Sequence, residues 1–575
     1  MRSILVLMFA SAFLSIQAQE PSNDLPQHPA DIHRHPPNIP QHPGNIHQHP
    51  PNNPQHPPDI PHLVYAHGSA ELWVDGRPML LCGGELGNSS ASGMDYLRPL
   101  WTKFVEMHLN TLVAPVYWDL LEPREGRFDF SLVDSLIAEA RSHRLRLVLL
   151  WFGTWKNSMS CYAPSWIKTD EERFPRARSG AGRPEEIVTP FSANILNADK
   201  KAFTALLQHI KETDNHRHTV LMIQVENEIG MLPEARDHCP LADAAFRAPV
   251  PAMLIQYMQD HRGSLQPELR QLWEAGGNKT SGGWEDIFGK STATDEMFMA
   301  WYYGTFVEDI ARAAKAVYPL PLYVNAALNA PGKLPGQYPS AGPLPHVLDV
   351  WKAAAPSIDL LAPDFYNPNF RYWADRYTRA DNPLFIPEHR FEPGVDAKAF
   401  YAFGHYHAIG FSPFSIESTD HPADEPIGRS YDVIRQLVPM ITAAAPKGGV
   451  DGVLLSKEED TSRLEMGGYR ITAAHDLALG WSPKSKQDHW PLTGGIIIAV
   501  SDSVFYVGGT GIVLTFQPLT QGRRAGILHA EEGRFVDGHW RPGRQMNGDQ
   551  DHQGRHIRIP EGEYAIQRVT LYTYK

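Results

Sequence analysis

Several large protein classes are closed to this chain by what it lacks. Three cysteines in 575 residues cannot staple a disulfide framework. No internal run of about 18 apolar residues occurs, which excludes a multi-span membrane protein. Positive charge is in deficit, with 52 Lys+Arg against 65 Asp+Glu, and the basic residues form no cluster. The footprint of a nucleic-acid partner is therefore missing. There is no His-Glu-x-x-His and no Cys-x-x-Cys, so no metal and no cofactor are implied. Two glycine-rich stretches are not phosphate loops. Phe505–Gly511 opens no helix, and Gly289-Lys290-Ser291 has Trp284 where the phosphate-loop spacing needs glycine. Aromatics are plentiful instead: 14 Trp, 21 Tyr and 24 Phe exclude a disordered acidic chain.

The N-terminus reads as an export signal over residues 1–18. Arg2 is followed by an almost wholly apolar stretch from Ile4 to Ile16, too short to span a bilayer. Residues 26–62 then repeat a seven-residue unit with His-Pro at its third and fourth positions. Proline at this density makes neither helix nor sheet, so 19–62 is expected to be a disordered, extended spacer. Its histidines leave a metal-scavenging tract as the alternative. Export to a bacterial periplasm or outside the cell follows as the expected location.

From about residue 79 strand and helix signals alternate. Apolar strand-like runs fall at Met79–Cys82, Thr111–Val116, Leu145–Trp151, Thr219–Val225, Leu322–Asn325, Leu360–Tyr366, Leu384–Pro387 and Gly410–Ile416. Between them lie helical spacings such as Leu97, Leu100, Trp101, Phe104 and Phe203, Leu206, Leu207, Ile210, with capping boxes expected at Ser92 and Ser131. Continuously apolar strands belong to a sheet covered on both faces. The fold class is thus α/β: a (β/α)8 TIM barrel over 63–446 with a long rim insertion at 231–295. After Pro446 helical periodicity fades, and 447–575 is expected to form a β-sandwich-type domain.

In such a barrel, chemistry gathers where strands end at their C-terminal side. The fourth run ends in Gln224-Val225-Glu226-Asn227-Glu228 and the seventh in Pro387-Glu388-His389-Arg390. Two carboxylates facing each other across a cleft are what glycoside hydrolysis requires. Glu226 precedes Glu228 by two, and strand alternation would point both inward. It reads equally as a carboxylate tuning Glu228 or as half of a structural ion pair. Arg390 could hold down the pKa of Glu388 or pair with an exposed acid. Glu85, Asn88, Trp118, Trp151 and Trp155 follow the first three strands. They are candidate sugar contacts, of which about half are expected to touch ligand and the rest to pack. Cys161 and Cys239 fall in neighbouring rim loops, where a disulfide is an open alternative in an exported chain.

The segment QVENEIG at 224–230 resembles the QVENEYG motif of glycoside hydrolase family 35, the β-galactosidases. Trp118–Phe130 is similar to that family's W..HEP..G.F.F segment, with Leu121 where His is usual. Met297–Ala327 resembles its bacterial branch with a C-terminal β-domain. The resemblance covers about 65–575. It implies Glu228 as acid/base, Glu388 as nucleophile, Asn227 on the sugar 2-hydroxyl, and Tyr366 orienting the nucleophile. The implied activity is retaining, exo-acting hydrolysis of a β-galactoside such as a xyloglucan fragment. Another β-glycoside, an α-L-arabinopyranoside, or a non-catalytic carbohydrate-binding barrel remain as alternatives. The oligomeric state is left open.

Overall fold

The computed structural model describes residues 60–66, 69–546 and 548–575. The export signal and all but the end of the His-Pro repeat lie outside these residues. No helix among the described residues is long and apolar enough to cross a membrane.

Eight parallel strands close into a barrel. We number them β1 Leu81–Glu85, β2 Thr111–Tyr117, β3 Arg146–Phe152, β4 Val220–Gln224, β5 Leu322–Ala327, β6 Leu360–Phe365, β7 Ile386–His389 and β8 Gly410–Pro413. They neighbour one another in chain order, and β8 returns to β1 through Phe411 opposite Cys82. Helices cover the outside and side chains fill the inside, so nearly every strand residue is buried and no alternation shows.

The longest helices are Ala193–Asp214 and Thr292–Val317. The second is capped by Ser291, whose hydroxyl accepts the Thr294 N–H. The capping boxes expected at Ser92 and Ser131 do not form. The first helix starts after Gly93 without a side-chain cap, and Asp129, rather than Ser131, takes the Ser131 N–H. Pro99 then interrupts that helix with a 3-10 turn at Arg98–Leu100.

Short elements flank the barrel. A three-stranded antiparallel sheet, His62–Ala66, Ser69–Val74 and Arg77–Met79, precedes β1. Asp75 in its last turn pairs with Arg146 at the start of β3 and with His218 just before β4. That places it at the N-terminal end of the barrel, away from the chemistry. The insertion folds into four short helices between Pro240 and Phe288. Its Trp273 and Trp284 are buried within it.

The C-terminal domain is a sandwich of a six-stranded and a four-stranded antiparallel sheet. Ile471, Ile497, Phe505, Val507 and Leu514 lie in its apolar core. The larger sheet rests on helices Val395–Gly404 and Pro426–Ala444 of the barrel, and Leu454, Ile496, Ile498 and Tyr506 join the barrel's own core. Close approach sets two glycines here: a Cβ on Gly404 would lie 2.8 Å from the Gly452 Cα, and one on Gly494 2.7 Å from the Ala397 carbonyl oxygen.

Candidate active site

β4 stops at Gln224, and the chain then passes through two left-handed residues, Glu226 (φ 60°) and Glu228 (φ 45°). Neither is glycine, and such geometry costs about 1–3 kcal/mol per residue unless its surroundings hold it. Here they do. The Glu228 N–H donates to Asn325 Oδ1 at 2.9 Å, and its carbonyl accepts the Ser158 N–H at 3.1 Å. The Asn157 side-chain amide donates to the Glu228 carboxylate.

That turn breaks the strand alternation which would have put Glu226 and Glu228 on one face. Glu226 accepts the Trp155 N–H at 2.7 Å and lies against Asp199. It forms no ion pair among the described residues and does not face Glu388. Burial first, and the Asp199 charge second, push its carboxyl well above the ordinary range. Asp199 also accepts the Trp151 indole N–H and both the N–H and hydroxyl of Thr154. Together the two acids anchor the loop that carries Lys156 and Asn157 to the barrel mouth.

Glu388, next to last in β7, stands in register with Asp364 of β6. Oxygens of Glu228, Asp364 and Glu388 lie within 4.8 Å of one another. Glu85, at the end of β1, completes the cluster from the opposite side, and Lys156 is the cation whose charge reaches Glu85 and Glu388. All five side chains are buried. Burial, then the Glu228 charge, push the Glu388 carboxyl up to about 7, while Lys156 and the hydrogen bonds from Tyr366 and Glu85 pull it down. Glu85 is driven well above its usual range by burial and by Glu388. The Tyr366 hydroxyl donates to Glu388 Oε1. Asn227 is fully buried, and neither its amide nitrogen nor its oxygen has a protein partner among the described residues.

The remaining expectations divide. Trp118, Trp151 and Trp155 are wholly buried, and their indole N–H groups donate to Glu122, Asp199 and the Val188 carbonyl. All three pack the barrel top and offer no face to a sugar. Asn88 lies in the loop after β1, where its carbonyl accepts the Tyr117 hydroxyl. Arg390 is exposed and reaches Glu392 at 4.0 Å, the second of its two expected roles. Its guanidinium sits 5.6 Å from the Tyr366 ring centre and donates to the Tyr366 carbonyl at 3.3 Å. Cys161 and Cys239 are free thiols, and Cys239 instead caps helix Pro240–Arg247 by accepting the Ala242 N–H.

Sequence reasoning missed Asp364, Lys156, Asn325 and Tyr323. Tyr323 is buried with its hydroxyl close enough to feel Glu85, Asp364 and Glu388. Asp364, Asn325 and Tyr323 lie inside apolar strands, and a polar residue interrupting such a run was the available signal.

Comparison with known proteins supports a β-galactosidase-type glycosidase over part of the chain, but the glycosidase family model that matches is glycoside hydrolase 42 and not the expected family 35. A glycoside hydrolase 42 family model described as beta-galactosidase matches residues 98–273, which span β2 to β4 and the Glu226–Glu228 turn. A second model, a domain of unknown function (DUF5597), matches 427–558, from the last barrel helix into the sandwich. A curated beta-galactosidase of Xanthomonas manihotis is 28% identical over 173 residues, 29% of this chain and 26% of that protein. In this stretch the chain is similar to β-galactosidases. The match thus spans about a quarter of that relative's length. Among solved structures, the beta-galactosidase of Bacillus circulans sp. alkalophilus aligns with a TM-score of 0.44 at 15% identity, covering 64% of this chain and 57% of that one. The beta-galactosidase of psychrophilic Marinomonas ef1 gives 0.42 at 13%, covering 63% and 60%.

Proposed function

We propose that the protein is a retaining, exo-acting β-galactosidase of the glycoside hydrolase 35 type. The observation that carries this reading is the facing pair: Glu228 and Glu388 arrive from β4 and β7 with carboxyl oxygens within 4.8 Å. Retaining glycosidases hold their carboxyls about 5–5.5 Å apart, whereas inverting ones need about 6.5–9.5 Å to admit water. The short spacing favours retention.

Glu388, as the carboxylate, attacks the anomeric carbon. Tyr366 and Lys156 favour its ionised form in a site whose burial opposes it. Glu228 protonates the departing oxygen. A water then loses its proton to Glu228, attacks the glycosyl-enzyme ester, and releases galactose with the β configuration kept. Asn227, whose buried side-chain amide has no partner among the described residues, binds the 2-hydroxyl, where a contact tightens in the transition state. No cofactor enters. Export on a proline-rich spacer suits a galactosyl side chain of a plant oligosaccharide such as xyloglucan.

The test is hydrolysis of 4-nitrophenyl β-D-galactopyranoside by the wild type, Glu228→Ala and Glu388→Ala. Both variants should lose about 10²–10⁴-fold or more in kcat. Azide should rescue Glu228→Ala and yield the β-galactosyl azide, the signature of a retained glycosyl-enzyme. An α-azide, or no rescue with activity lost in both, would remove the assignment of roles. A folded wild type that cleaves only β-glucosides or α-L-arabinopyranosides from a nitrophenyl panel would move the substrate.

A further inference from the structure

Four buried carboxyls meet at the barrel mouth, and the mechanism above uses two. Asp364 is the least expected of the others, since it interrupts a strand whose neighbours Leu361, Ala362 and Phe365 are apolar. Its two oxygens are in different situations. Oδ2 accepts the Asn325 Nδ2–H at 2.6 Å. Oδ1 is buried and has no donor among the described residues. The groups facing Asp364 are Asn325 and Tyr323 from β5, Glu388 from β7, the Glu228 turn after β4, Glu85 from β1 and Tyr377 from helix Phe370–Tyr377. The Tyr377 hydroxyl is engaged, donating to the Pro343 carbonyl, and the cation Lys156 serves Glu85 and Glu388. An unpaired carboxylate oxygen buried among other carboxylates is the costliest arrangement a site can hold. A carboxylic acid there has both of its oxygens employed, one accepting from Asn325 and the other donating to an acid neighbour.

Resting on the galactosidase reading for the roles of its neighbours, we propose that Asp364 is a neutral carboxylic acid in the resting protein, that it donates a hydrogen bond to the Glu228 carboxyl, and that it thereby acts as a positioning residue for the acid/base. Its influence has a second route. Asn325 stands between the two: Nδ2 donates to Asp364, and Oδ1 accepts the Glu228 N–H. Asp364 therefore fixes which way the Asn325 amide faces, and that amide holds the left-handed backbone of Glu228 in place. Burial, followed by the charges of Glu388, Glu228 and Glu85, drives the Asp364 carboxyl well above its ordinary range, in the same direction.

The test begins with infrared difference spectra of the full chain at neutral pH, wild type against Asp364→Asn, with carbon-13 aspartate to assign the band. The expected result is loss of one carboxylic-acid C=O stretch belonging to aspartate. In Glu228→Gln that band should persist at a changed frequency, because its acceptor has changed. No aspartic-acid band lost on Asp364→Asn, or a band indifferent to Glu228→Gln, overturns the proposal whatever sugar the enzyme cleaves. Kinetics supply the positioning readout. Asp364→Ala should lower kcat about 10²-fold with little change in KM, the size expected of a misplaced catalytic group. Asp364→Asn, which keeps a donor and cannot ionise, should recover most of that loss. It should also move the alkaline limb of the pH profile to lower pH, because a neighbouring acid no longer helps retain the pair's last proton. Should Asp364→Ala fail to fold, Asp364→Asn and Glu228→Gln decide the matter alone. Equal, wild-type kcat in the Ala and Asn variants would overturn the positioning role even if the band is lost. A wild type inactive on every glycoside tested would sink the galactosidase reading while the infrared bands still judged Asp364.

Discussion

Between the two sheets of the C-terminal sandwich, Ile471, Ile497, Phe505, Val507 and Leu514 turn only hydrocarbon toward one another. At the mouth of the barrel, at equal depth, Glu85, Glu228, Asp364 and Glu388 lie together, and the charge of one lysine, Lys156, reaches Glu85 and Glu388. The sandwich pairs its strands in two antiparallel ladders. The barrel mouth holds Asn157, Ser158, Glu226 and Glu228 at positive φ, together with carboxyl and amide atoms that find no donor or acceptor among the described residues. One region gains stability from burial, and the other loses it. Unpaired buried polar atoms and positive φ also occur elsewhere among the described residues, but at the barrel mouth they gather around buried carboxyls, and that concentration marks a place kept for a ligand.

The sharpest way to break the comparison is to make each region resemble the other. Phe505→Ala opens a cavity in the sandwich core and should cost about 3–5 kcal/mol of folding stability. At temperatures where the variant stays folded, kcat should be unaffected. Calorimetry alongside the galactoside assay reads both. A fall in kcat without a fall in unfolding temperature would mean the sandwich reaches into the site.

The reverse experiment removes a charge from the mouth. Glu388 titrates near 7 when folded and, with no burial, at its ordinary 4.5. Between those values the folded protein holds a proton that the unfolded chain has released, so stability falls as pH rises through the interval. Above it a constant penalty of about 3 kcal/mol remains. Glu388→Gln should therefore be inactive yet unfold several degrees higher than the wild type at slightly alkaline pH. The gain should shrink on acidification and vanish near the ordinary carboxyl value. A variant no more stable than wild type at any pH would show that the carboxyl cluster carries no such strain.

The same contrast explains what could be read from the sequence. Barrel strands are legible because burial on both faces demands unbroken apolar runs, and the eight runs from Met79 to Ile416 coincide with β1–β8 to within a few residues. Glu228 and Glu388 are legible because they follow such runs. The sandwich is only half legible. Gly494–Val500, Ser503–Val507, Ile512–Phe516 and Tyr564–Tyr572 carry apolar stretches, while the long Arg524–Val536 and His539–Gln545 pair faces solvent on much of its length and has none. Asp364, Asn325 and Lys156 escaped because their meaning is spatial: three elements far apart in the chain converge on Glu228 and Glu388. Glu226 was misplaced for a local reason, since period-two alternation stops where φ changes sign at that residue.

Glu226 also offers the next smaller test. With Asp199 it holds the loop that brings Lys156 and Asn157 to the carboxyl cluster. Glu226→Ala removes the acceptor of the Trp155 N–H and should lower kcat/KM about tenfold, the scale of losing one well-placed hydrogen bond. Glu226→Gln keeps that acceptor and can donate to Asp199, so it should recover most of the loss. Equal effects of the two variants would point to charge rather than loop position as the cause.

Arg390 should matter least, although it stands two residues from Glu388, the proposed nucleophile. Its guanidinium is exposed, reaches back to the Tyr366 carbonyl, and lies over the Tyr366 ring and not beside a carboxylate of the cluster. A solvent-exposed cation–π contact contributes about 0.5–1 kcal/mol. Arg390→Ala should accordingly lower kcat/KM no more than about fivefold, by loosening the ring whose hydroxyl donates to Glu388, and should leave the acid limb of the pH profile where it was. Tyr366→Phe, which deletes the hydroxyl itself, should move that limb to higher pH, because a hydrogen bond favouring the Glu388 carboxylate is lost. If Arg390→Ala shifted the limb as far as Tyr366→Phe, the guanidinium would have to act on the charge of Glu388 directly, and the division between a supporting rim and a strained interior would fall at that residue.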